Sequence, residues 1–92
     1  RYGMAEGYRI RLTVSSVKGT CDAGHKVGDS WVLESKTPAG VCMSAFSTLY
    51  PYIRALRFGA EFPWCEDKDV AYIACPDPQN PVVFEVRRLR QP

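Results

Sequence analysis

Hydrophobic and polar positions alternate along residues 8–17, YRIRLTVSSV, with Tyr8, Ile10, Leu12 and Val14 on one side and Arg9, Arg11, Thr13 and Ser15 on the other. A period of two is the mark of a half-buried strand. The same alternation closes the chain in VVFEVRRLR, where Val82, Phe84 and Val86 face inward and Glu85 and Arg87 outward, with RRLR (87–90) expected as a frayed basic tail. SWVLES (30–35) reads as a second strand, antiparallel to the first across a long connection. VAYIAC (70–75) carries no charge and reads as a short central strand.

Between these segments the period changes. Phe46, Leu49, Ile53 and Leu56 recur at spacings of 3, 4 and 3, which is one face of a helix. Ser44 suits the N-cap, Gly59 the stop, and Arg54 and Arg57 the last turn. Pro51 lacks an N–H and crowds the preceding turn, so a kink or two short helices meeting near Tyr50 are expected.

The connectors carry the turn formers. KGTCDAGHKVGD holds Gly19, Gly24 and Gly28, and PDPQNP has three prolines in six residues. Gly24 and Gly28 suit positive φ and Asp29 suits a turn hydrogen bond, so GHKVGD reads as a turn fixing the entry to the strand at Trp31. Phosphate binding, for which the loop lacks a following helix, is the alternative. The order β-β-α-β-β predicts an α+β domain, a small and mainly antiparallel sheet covered by one proline-broken helix. The domain spans 8–90, with an N-terminal arm at 1–7 and a tail at 91–92.

Composition narrows the function classes. Hydrophobic residues make up 46% and charged residues 24% of 92 residues, as in an ordinary globular domain. No apolar run approaches the roughly 18 residues that span a bilayer, so no membrane partner is expected. The net charge of +2 lacks the concentrated basic face of a nonspecific nucleic-acid binder. Residues 1–3 before Met4 read as an expression remnant, and no secretory signal is evident, so the expected compartment is the cytoplasm.

Chemistry enters with CDAGH, where Cys21 stands four positions before the single histidine, His25. KGTCDAGHKVGD, CMSAFSTLYPYIRALRFGAEFPW and ACPDPQNPVVFEVRR, taken together and in this order, resemble a family of small prokaryotic single-domain proteins with no assigned function. The resemblance covers about Tyr8 to Arg88. It implies that Cys21, His25, Cys42 and Cys75 match the family pattern and that Cys65 is peculiar to this chain.

Three readings stay open for these residues. Three thiols and an imidazole suit zinc or ferrous iron in tetrahedral geometry, and all four lie at element boundaries, which converge in space more readily than strand interiors. Alternatively, Cys42 just before the helix N-terminus suits a thiolate nucleophile, with His25 as its base. The plain alternative is core thiols and a solvated histidine. A different class of function rests on the aromatic segment 50–64. There Tyr50, Arg54 and Trp64 would line a pocket for a small anionic or aromatic ligand, or the segment would bury itself in a homo-oligomer. The acidic run EDKD (66–69) reads as a solvated loop.

Overall fold

The computed structural model describes residues 7–90. Residues 1–6 of the expected arm and the tail at 91–92 lie outside the described residues. Four strands, β1 (Arg9–Val17), β2 (Ser30–Leu33), β3 (Val70–Ala74) and β4 (Val82–Leu89), and one helix, α1 (Met43–Arg57), occur in the order β1-β2-α1-β3-β4. The strands form a single antiparallel sheet in the spatial order β2-β1-β4-β3, and α1 packs across one face of it. This is the α+β arrangement expected from the element order. No helix among the described residues is long and apolar enough to cross a membrane.

Register explains the core. Leu12 pairs with Trp31 on one side and Val86 on the other, and Val14 pairs with Phe84. Side chains of one parity therefore project together toward α1. Ile10, Leu12, Val14, Val82, Phe84 and Val86 bury completely or nearly so against Leu49, Ile53 and Leu56 of the helix. A bulge near Ser15 shifts the β1–β4 register between Val14 and Ser16. The Ser15 hydroxyl donates to the Val83 carbonyl there.

Several sequence expectations are corrected. β3 is an edge strand, not a central one: it pairs only with β4, and Tyr72 on its open face is exposed. The helix runs unbroken through Pro51. Pro51 and Ser47, whose carbonyl loses its partner to the proline, both lie on the exposed side, where hydration makes that loss inexpensive. Cys42, not Ser44, is the N-cap. Gly59 does end the helix as expected. At φ +96° its N–H donates to Leu56, and the Ala60 N–H reaches back to Ala55, a Schellman closure.

The basic cluster at 87–90 is not frayed. Arg87, Arg88 and Leu89 belong to β4, and Arg88 continues the inward parity of Val86 into the interior, 2% exposed. Its Nε donates to Asp69, its Nη1 to the carbonyls of Leu56 and Ala60, and its Nη2 to the Lys68 carbonyl. Four donors thus tie α1, the 60s loop and β4 together around one buried charge. Asp69 also pairs with Arg90, and Asp67 with Arg87, so the EDKD run is the counter-charge of this cluster as well as a loop.

Candidate cysteine cleft

Three backbone constraints bring distant cysteines to one end of the sheet. Cys21 sits in the turn after β1, where its carbonyl accepts the Gly24 N–H at 2.9 Å. Cys42 caps α1, and its carbonyl accepts the Phe46 N–H at 2.9 Å. Cys75 follows β3; its N–H donates to the Val82 carbonyl, and its Sγ accepts the Val82 N–H at 3.2 Å. The loop carrying Cys21 is held against the β3–β4 turn by Lys18 N–H to the Pro81 carbonyl and by Thr20 N–H to Asn80 Oδ1. The three cysteines line one open cleft of about 350 Å³, together with Asp22, Asp77 and Asn80. All three are half-buried and unpaired in disulfides.

Asp77 shapes the far wall. Its Oδ1 accepts the N–H groups of Gln79 and Asn80, an Asx-type turn that keeps the proline-rich connector folded. The Gln79 N–H, then the Asn80 N–H, hold the Asp77 carboxyl below its ordinary range. The sequence does not single out Asp77 or Asn80, although an Asp in a proline-rich connector is an Asx-turn former.

His25 does not join this cleft. It is 7% exposed, its ring standing edge-on to Trp31 and to Phe84 at centroid distances of 5.4 and 5.8 Å. Its Nε2 accepts the backbone N–H of Cys42 at 3.1 Å. That bond places the proton of the neutral ring on Nδ1 and makes His25 a support for the helix start. Its Nε2 is therefore engaged by the backbone and is not free to act as a base on the Cys42 thiol. Among the described residues no three His, Cys, Asp or Glu side chains group as a metal site. The physical reason is that the imidazole is spent on the backbone and packed into the core, while the thiols line the surface.

GHKVGD takes the turn role expected for it. Asp29 Oδ2 accepts the Lys26 N–H, and the Asp29 carbonyl accepts the Val14 N–H, which closes the loop directly ahead of β2. Cys65 lies apart from the cleft in the 60s loop, its N–H on the Phe62 carbonyl.

The aromatic segment divides between two places. Tyr50 and Arg54 line a second cleft, of about 360 Å³, between α1 and the segment after β2. Trp64 does not reach it: it is exposed and stacks on Phe62 at 5.2 Å, with Phe62 in turn against Tyr52. No family model, curated protein or solved structure matches the chain, so its functional reading rests on its own residues.

Proposed function

We propose that this chain is a thiol-dependent protein whose cysteine cleft exchanges with a disulfide substrate. The observation that supports it most is the shared cleft of Cys21, Cys42 and Cys75, residues 21 and 33 positions apart in the chain. Cys42 is the attacking thiol. It caps a 15-residue helix whose first turn has no acidic side chain, so the positive end of the helix dipole is left to the cleft. Cys21 is the resolving thiol, because its sulfur makes no hydrogen bond among the described residues, whereas the Cys75 sulfur is held by the Val82 N–H.

The exchange balances simply. The Cys42 thiolate attacks one sulfur of the substrate disulfide and expels the other as a thiolate, leaving a mixed disulfide. The Cys21 thiolate then attacks the Cys42 sulfur, forms the Cys21–Cys42 bond and releases the second substrate thiol. Each thiolate arises by loss of a proton to solvent, and the expelled thiolates take protons up. The substrate gains two electrons and the protein loses two.

Oxidised glutathione provides the test. The reduced protein should release two equivalents of glutathione, Cys21→Ser should release one and keep the other as a mixed disulfide, and Cys42→Ser should release almost none. Equal release from the Cys42→Ser protein would overturn the assignment. So would purified protein carrying near-stoichiometric zinc or iron with these thiols protected, which would make the cleft a ligand set instead.

A further inference from the structure

The second cleft shares no lining residue with the cysteine cleft, and its chemistry differs. Leu33 and Ile53 are its buried apolar lining, Phe46, Tyr50 and Phe58 supply aromatic surface, and Arg54 and Lys36 add two cations to the lining. The Arg54 guanidinium carbon lies 5.2 Å from the Phe58 ring centroid. That contact orients the planar fork without using any of its hydrogen-bond donors. Among the described residues neither Arg54 nor Lys36 makes a hydrogen bond or ion pair. Arg57 on the same ring is committed differently, its Nε on the Tyr8 carbonyl. Glu34 also lines the cleft, which opposes ligands of high negative charge.

We propose that this cleft binds a small monocarboxylate with an aromatic body. The ring lies on Phe46, Tyr50 and Phe58, and the carboxylate takes the fork of Arg54, with Lys36 as a second cation. A bidentate guanidinium–carboxylate pair gives orientation, and the apolar floor gives the ligand a reason to leave water. A volume of about 360 Å³ sits at the lower end of small-molecule sites and suits a single ring. The site is independent of the thiol chemistry and stands or falls without it.

The probe is phenylacetate, titrated into ¹⁵N-labelled protein and followed by amide shifts. Saturable shifts at Glu34–Thr37, Tyr50, Arg54 and Phe58 are expected, with a Kd on the order of 1 mM for a ligand of this size. Arg54→Gln, at an exposed position, should keep the spectrum of a folded protein and weaken binding about tenfold. Neutral 2-phenylethanol, acetate and inorganic phosphate should each bind at least about tenfold more weakly than phenylacetate. Unchanged affinity in Arg54→Gln, equal binding of 2-phenylethanol, equal binding of acetate or phosphate, or no saturable shift would each overturn the proposal. If Arg54→Gln fails to fold, Lys36→Gln together with the ligand series makes the same decision.

Discussion

The backbone N–H of Cys42 donates to Nε2 of His25 over 3.1 Å, so the single histidine of the chain fixes where its helix begins. The bond crosses from the glycine-bearing loop to the N-cap and is partly buried, with the imidazole wedged against Trp31 and Phe84. His25→Phe keeps a ring but leaves the Cys42 N–H without its acceptor. Urea denaturation should show a loss of about 1–3 kcal/mol. A variant as stable as the parent would mean that packing, not the hydrogen bond, sets the helix start.

Arg88 is the second anchor. Removing its guanidinium takes a donor from the carbonyls of Ala60 and Lys68, leaves the Leu56 carbonyl to the Gly59 N–H, and deprives Asp69 of its buried partner. Arg88→Met should cost about 3–5 kcal/mol. Arg88→Lys should recover only a small part, since one ammonium cannot reach what a planar fork reaches. Arg90→Met, on an exposed pair with the same aspartate, should change stability by about 0–1 kcal/mol. Chemical denaturation of the three variants makes the comparison.

Asp77 and Asp67 give the protein an acid-sensitive component. Asp77 is held below its ordinary value by the Gln79 and then the Asn80 N–H groups. Asp67 is held below the same value by the Asp69 N–H and then by Arg87. A carboxyl whose folded value lies below its unfolded one contributes fully above the unfolded value and loses that contribution as pH falls through the folded value. Thermal stability should therefore decline below about pH 4. The gap between parent and Asp77→Ala should be constant from pH 5 to 7 and close in acid. A gap that persisted at low pH would assign the effect to something other than the ionised carboxylate.

Gly19 and Gly24 share a left-handed backbone, with φ of +79° and +80°, but not a neighbourhood. A Cβ at Gly19 would run into Asn80 Oδ1, the acceptor of the Thr20 N–H, whereas nothing stands near Gly24. Both Ala substitutions pay the same backbone strain, so Gly19→Ala should cost roughly 1 kcal/mol more than Gly24→Ala. Equal costs in thermal melts would show that the Asn80 contact does not hold the cysteine loop to the β3–β4 turn.

What was legible in the chain was what repeats. The alternation in β1 and β4 and the Leu49–Ile53–Leu56 stripe led to the correct faces, and Gly59 marked the helix end, because burial and φ act on neighbouring residues. The edge position of β3 was not legible, since strand order is decided by pairing between distant segments. By its charge Arg88 reads as tail, although it extends the Val82–Phe84–Val86 parity by one more step. The charge obscured the pattern, and Asp69 in the acidic run was its missing explanation. At the site, the placement of Cys21, Cys42 and Cys75 beside element ends followed from the chain. The role of His25 did not, because only the folded loop sets it between Trp31 and Phe84. Trp64 failed to join Tyr50 and Arg54 because the segment after Gly59 leads it onto Phe62 instead.

Peptide mapping after oxidation decides which cysteines take part in the exchange. The reduced protein is treated with oxidised glutathione, blocked with iodoacetamide and digested without reduction, and its disulfide-linked peptides are identified. A dominant Cys21–Cys42 link is expected, with Cys65 and Cys75 recovered as alkylated thiols. A dominant link through Cys65, or four alkylated thiols and no link, would contradict that expectation.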